Sequence, residues 1–203
     1  MLQTSLPFDR QRPRSRRGGK RKNAGRKPVG AEAGRPHVRR ARIERRLPIH
    51  VTVRMAPHVY NLRSRRSFSI IGRAIAIAAN RFGVRIIEFS VQGNHMHLVV
   101  EAAAHEALSR AMQGFSIRVA KGLNAMMKRR GRVFADRYHA HILETPPEAR
   151  WAVLYVRRNY QKHMSEIGKP ISPDYVDPFA SPGANIELAE PRTWLLRRAA
   201  APP

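Results

Sequence analysis

Two histidines one residue apart, His95-Met96-His97, open the apolar run HMHLVVE. Side chains on a strand alternate faces, so His95 and His97 project to one side and Met96 to the other. Two neutral imidazoles on one face can hold a divalent ion and leave positions open for substrate oxygens. The spacing alone also fits polar residues on a half-exposed sheet face, and His139-Ala140-His141 repeats it. The first pair stands apart because Gly93-Asn94, a turn signal, delivers it directly into Leu98-Val99-Val100. A second candidate is Tyr155-Val-Arg-Arg158-Asn159-Tyr160. Tyr155 and Asn159 are four apart and share a helix face. Tyr160 is five residues on from Tyr155, about 140° round the helix, so the two phenols cannot serve one site. Tyr160 falls with Ala152, Val153 and Val156 and reads as a core contact. Tyr155 lies beside Arg158 and Asn159, a polar setting suited to a phosphate, although its position also fits an ordinary core or surface tyrosine. A tyrosine nucleophile forms a covalent phosphodiester, and a metal polarises the phosphate under attack.

The surrounding patterns must position these groups. Pro48–Met55 alternates apolar and polar residues and predicts a strand. Ser67–Phe82 carries Ile70, Ile71, Ala74, Ile75, Ala78 and Phe82 at helical spacing and stops at Gly83. Val84–Gln92 and His95–Glu101 predict a hairpin about Gly93-Asn94. Ala103–Met127 reads as a long helix with Leu108, Met112, Phe115, Val119, Leu123 and Met126 on one stripe. Val133–Leu143 predicts a fourth strand, and Pro147–Ser165 a last helix with proline in its first turn. The order β-α-β-β-α-β-α is an α+β class: a ferredoxin-like split βαβ plan with a four-stranded antiparallel sheet and an appended C-terminal helix that bears Tyr155.

Charge sets the partner class. The chain has 203 residues with 39 Lys+Arg and 14 Asp+Glu, a net of +25. Such a field attracts polyanions, nucleic acid before anionic membrane or ribosomal RNA. Residues 1–46 hold 16 basic and 3 acidic residues, residues 47–166 hold 19 and 7, and residues 167–203 hold 4 of each. The expected organisation is therefore a disordered basic arm, a basic central domain and a neutral Pro/Ala-rich tail. Arg26 and Arg35, each followed by a nearby proline, read as minor-groove hooks or as part of a solvated tail that binds through counterion release. Lys128, Arg129, Arg130 and Arg132 form a loop cluster of phosphate-binding character, and Arg63, Arg65 and Arg66 a second. Cysteine is absent, which excludes disulfides and thiolate zinc sites. No segment approaches the roughly 18 apolar residues of a membrane span. The expected place is the cytoplasm, on the nucleoid.

GNHMHLVVE resembles the HUH motif (His, bulky apolar, His) of the single-tyrosine IS200/IS605-like transposases. Tyr155-Val-Arg-Arg-Asn159 is similar to the Y-I-x-x-N of their REP-associated branch. Gly131–His139 resembles the W/F-x-x-R-Y/F-H stretch that precedes the tyrosine helix. The likeness spans roughly residues 47–165. It implies that Tyr155 attacks a scissile phosphate in single-stranded or hairpin DNA, leaving a 5′-phosphotyrosine and a free 3′-OH. It implies that His95 and His97 ligate Mg²⁺ or Mn²⁺, with Asn159 completing the metal site. It carries endonuclease and strand-transfer activity as the expected function, by a monomer or a homodimer.

The chain departs from the pattern where Asn159-Tyr160 replaces Asn-Pro, so the helix is expected to continue. His50, His139 and His141 are candidates to support the metal ligands or touch DNA, with a plain sheet-face role as the alternative. Two other readings of the whole chain remain. One is a DNA- or RNA-binding protein of the same fold without catalysis. The other is a rolling-circle initiator, for which the chain has no room for a helicase domain.

Overall fold

The computed structural model describes residues 43, 47–181 and 183–200; these all belong to the unit His37–Pro203. Arg26 and Arg35 lie outside the described residues. Alternating burial along Ile49–Arg54 (β1) and the apolar stretches Val84–Val91 (β3) and His95–Ala102 (β4) build the middle of an antiparallel sheet. His139–Ile142 (β5) joins at one edge and Asn80–Arg81 (β2) at the other, giving the order β2-β3-β4-β1-β5. Without β2 this is the split βαβ arrangement. The sheet thus has five strands where the sequence predicts four.

The extra strand explains a second difference. Helix α1 runs Arg65–Ala78, capped by the Ser64 side chain, and ends before the predicted Phe82. Phe82 and Gly83 take left-handed backbone angles, φ 56° and 74°, which turn the chain from β2 into β3. Phe82, expected on the core stripe, is 56% exposed. Helix α2, His105–Met126, buries Leu108, Met112, Phe115, Val119 and Leu123 as its periodicity predicts. It lies close enough to α1 that a Cβ on Gly122 would stand 2.4 Å from Ile70 Cγ2. Both helices cover the sheet face that carries Ile49, Val51, Val53, Met96, Leu98 and Val100.

The opposite face carries the candidate chemistry. Register pairs Arg54 with His95, Thr52 with His97 and His50 with Val99, and places His139 and His141 opposite Thr52 and His50. Cross-strand partners share a face, so five histidines lie on one side of the sheet. Helix α3, Pro146–Glu166, covers this face through Ala149, Ala152, Val153 and Val156 against Ile87, Val99 and Leu143. Its first turn is fixed by a capping box between Thr145 and Glu148, and by proline at the start, the latter as the sequence predicts. The helix runs on through Tyr160, as the missing Asn-Pro predicts. A bulge between Ile86 and Glu88 turns Glu88 toward α3, where it accepts hydrogen bonds from Arg157 and Ser181.

Two further expectations need correction. Val133–Leu143 is not one strand: only Phe134 bridges Met55, Asp136 turns the chain by accepting from the Arg137 amide, and pairing resumes at His139. The 167–203 segment, expected as a tail, packs on the sheet in its described part. Val91 N–H donates to Phe179 O and Ala189 N–H to Ile86 O, so it runs along the outer edge of β3. A short helix α4, Trp194–Ala200, then packs against α3 through Leu195 and Leu196. Composition misleads here because the anchors are single polar groups, Asp177, Ser181 and Thr193, each buried.

Candidate functional site

Tyr155, Asn159 and His163 lie at successive four-residue steps on α3, and this row faces β1 and β4. The rise over those steps is about 12 Å, whereas His97 and His95 are about 6.8 Å apart along their strand. The two ends of the helical row therefore reach different histidines. The Tyr155 ring centre is 5.2 Å from that of His97 and 6.0 Å from that of His50. The His163 ring centre is 5.8 Å from that of His95. His95 and His97 themselves stand 4.9 Å apart with nearly perpendicular rings. Asn159 falls on the turn between.

Hydrogen bonds orient the imidazoles. His97 Nδ1 lies 3.1 Å from His50 Nε2 and 3.2 Å from Thr52 Oγ1. His95 Nδ1 lies 2.8 Å from Asn94 Oδ1, so the turn asparagine holds the first histidine of the strand. With Nδ1–H donating in each case, Nε2 keeps its lone pair and points away from these partners, the arrangement of metal-binding histidines. Burial, aided by the neighbouring imidazoles of His50, His95 and His163, pushes His97 down to about 3. Burial also lowers His50 to about 4, with His141 and His139 adding to the effect. His95 is lowered by burial, by His163 and by Arg54. All three are neutral at physiological pH, which is the state a ligand must have.

The residues fit a divalent cation. His97 Nε2 is sealed from solvent without a hydrogen-bond partner, as are both Oδ1 and Nδ2 of Asn159, a side chain only 1% exposed. Leaving such groups unpaired costs about 1–3 kcal/mol each, and a bound ion would satisfy the acceptors among them. Two imidazoles and an amide oxygen form a neutral donor set suited to a dication that keeps open positions. Among the described residues, no group of three or more His, Cys, Asp or Glu side chains is placed to hold a metal ion.

The other sequence candidates separate. His139 and His141 are exposed on edge strand β5, on the same face as His50. Lys128, Arg130 and Arg132 are exposed and Arg129 half-buried. Ala135 N–H donates to Arg54 O and Ala56 N–H to Val133 O, so this basic loop adjoins the sheet end where β4 begins with His95. Arg158 is exposed on α3. Tyr160 turns away from the histidines as predicted. Its partners differ from the expected apolar core: Arg63 covers its ring and Tyr175 lies beside it. Arg63 itself, expected in a phosphate-binding loop, is instead paired with Asp177 and the Val91 carbonyl, because the 167–203 segment supplies a buried carboxylate. Arg65 and Arg66 remain exposed. Sequence reasoning missed Asn94, Thr52 and His163. The last has a signal, since it continues the four-residue step from Tyr155 and Asn159.

A fold of this topology with a tyrosine helix across a histidine-bearing sheet face defines a class, and the comparisons identify it. The profile of the family described as "Transposase IS200 like" matches residues 49–159, more than half of the chain, so the protein belongs to the IS200-like transposases. No curated protein sequence matches. Among solved structures, a REP-associated tyrosine transposase bound to a REP hairpin is 18% identical with a TM-score of 0.51, covering 64% of this chain and 74% of that one. A protein described as a transposase from Deinococcus radiodurans R1 is 11% identical with a TM-score of 0.41, covering 70% of this chain and 99% of that one. The first likeness is one of fold. Among the described residues, no helix is long and apolar enough to cross a membrane.

Proposed function

We propose that the protein cleaves and rejoins single-stranded DNA at or beside a hairpin, with Tyr155 as nucleophile. The observation that carries this reading is the convergence of the Tyr155 and His97 rings, 5.2 Å between centres, beside a buried Asn159 amide with no partner. Tyr155 Oη forms a bond to phosphorus as the bond from phosphorus to the 3′ oxygen breaks. The products are a 5′-phosphotyrosine and a 3′-OH; the phenol loses a proton and the leaving oxygen gains one. Attack by a 3′-OH on the phosphotyrosine reverses these changes and joins a strand. His95 Nε2, His97 Nε2 and Asn159 Oδ1 would hold Mg²⁺ or Mn²⁺, which when bound supplies Lewis-acid polarisation of the phosphate. Thr52 and His50 hold the His97 ring, and Asn94 holds that of His95. Lys128, Arg129, Arg130, Arg132 and Arg158, with Arg26 and Arg35 of the arm, supply charge for the DNA backbone. The REP hairpin carried by the structural neighbour supports hairpin DNA as the substrate class.

The test uses labelled hairpin oligonucleotides from repeats flanking the gene, incubated with the protein and Mn²⁺ and run on a denaturing gel. A covalent protein–DNA band that disappears with Tyr155→Phe is the expected result. Tight binding with no adduct on any flanking hairpin overturns the catalytic reading in favour of a binding protein of the same fold.

A further inference from the structure

Trp151 has the most exposed large apolar side chain among the described residues, at 71%. It sits one turn before Tyr155 on α3. At about 100° per residue, Trp151, Lys162 and Arg158 lie about 40°, 20° and 60° to one side of Tyr155, and Asn159 and His163 about 40° and 80° to the other. The helix thus has two flanks about its tyrosine, one turned to the histidines of the sheet and one to solvent. On the solvent flank Arg158 and Lys162 are exposed too, and the Lys162 ammonium stands 5.4 Å from the Tyr155 ring centre. These two cations are available to a ligand. Arg157 is taken by Glu88, whereas Lys162 has an exposed pair with Glu166 at 3.8 Å, which contributes little, and Arg158 has no acidic partner among the described residues. Trp194 and Phe82, also exposed, belong to other elements and have arginines over their rings.

We propose that Trp151 is a stacking platform for one unpaired base beside the phosphate that Tyr155 attacks, with Arg158 and Lys162 holding the phosphates that follow along α3. The proposal rests on the reading of Tyr155 as the nucleophile. A bare indole is a surface that a nucleobase covers, and it accepts any base because every base has a π-face. Charge selects the occupant: an aromatic ring in line with cations matches a single strand, which brings a π-face and phosphates together. The run from Trp151 to Lys162 is about 16 Å long, the span of a few nucleotides, with Tyr155 inside it. No movement of the helix is needed. A base within a duplex stem is already stacked on both sides, so the platform favours an unpaired strand at the cleavage point over the paired stem. It adds strand selection to the site without base readout.

The experiment measures binding of the full-length protein, in EDTA to prevent cleavage, to end-labelled flanking hairpins with unpaired tails, read by fluorescence anisotropy. One series of strands carries a single abasic site at each tail position in turn. Trp151→Ala is expected to weaken binding to the intact strand roughly tenfold to a hundredfold. The parent should lose a similar factor at one abasic position next to the mapped cleavage point, and Trp151→Ala should lose nothing more there. Trp151→Phe should restore most of the affinity and the sensitivity to that position. The slope of log affinity against log salt should stay unchanged in both Trp151 variants but fall by about 0.7 in Arg158→Ala. Far-UV circular dichroism checks that α3 is retained. A Trp151→Ala variant that binds as the parent does, or that keeps the parent's abasic profile, overturns the platform. Abasic coupling without an adduct in Mn²⁺ supports the platform and overturns Tyr155 as nucleophile. A parent that binds none of these strands overturns both.

Discussion

The guanidinium carbon of Arg63 stands 3.5 Å from the centre of the Tyr160 ring. The same group bonds both carboxylate oxygens of Asp177, at 2.8 and 2.9 Å, and the Val91 carbonyl at 3.0 Å. One side chain thus ties the start of α1, the end of β3, the tyrosine helix and the C-terminal segment together. Gln161 adds to the clasp, its Nε2 donating to the carbonyls of Ser172, Pro173 and Tyr175.

Arg63→Ala leaves Asp177 buried without its cation. Removing one partner of a buried pair costs about 3–5 kcal/mol. Urea unfolding should show a loss of that size, and Arg63→Lys, which forfeits the bidentate geometry, a smaller one. A loss under about 1 kcal/mol would mean that the clasp contributes little.

Asn159→Leu separates stability from chemistry. A side chain of similar size removes two buried polar atoms that have no partner. The metal-free protein should gain about 1 kcal/mol and should lose the covalent adduct. A destabilised variant would indicate that the amide is satisfied in the free protein.

Glu101 makes the docking of the C-terminal segment acid-sensitive. Burial works to raise its carboxyl, but hydrogen bonds from Thr193, Arg85 and Arg192 outweigh it and hold the group below 4.5. A carboxylate depressed in the folded state contributes stability that is fully present above its unfolded value and is lost as pH falls through the folded one. Unfolding midpoints should therefore decline below about pH 4.5, and Glu101→Gln should flatten that decline.

Replacing Lys128, Arg129, Arg130 and Arg132 together with alanine should weaken binding to all single-stranded sequences alike. If each contacts one phosphate, the slope of log affinity against log salt falls by up to about 3, at about 0.7 per contact. An unchanged slope would place the DNA elsewhere.

What the sequence makes legible is local. His95 and His97 share a face because strands alternate, and Tyr155 parts from Tyr160 because helices turn through a fixed angle. Proline in the first turn marks the start of α3. Contacts between residues far apart in the chain leave no periodic trace. Nothing around Arg63 points to Asp177, 114 positions later, so its charge reads as a phosphate ligand when it is a structural pair. The same holds for Glu101, whose partners Arg192 and Thr193 lie in a segment of ordinary polar composition. Thr52 holds His97 through a side-chain hydrogen bond that only the register of β1 on β4 brings about, whereas Asn94 holds the residue next to it. His163 was within reach of the same helical arithmetic that found Asn159.

The margins of the sheet carry a consequence for solubility. Edge strands expose unpaired amides and carbonyls that invite pairing with other chains, which is how sheets aggregate. Here one margin is a strand of four residues, β5, and the other is closed by the two residues of β2 and then by the segment from Phe179 to Ala189 along β3. Little ladder remains bare for a neighbour to extend. Another copy of this basic chain thus finds little described edge on which to add a strand.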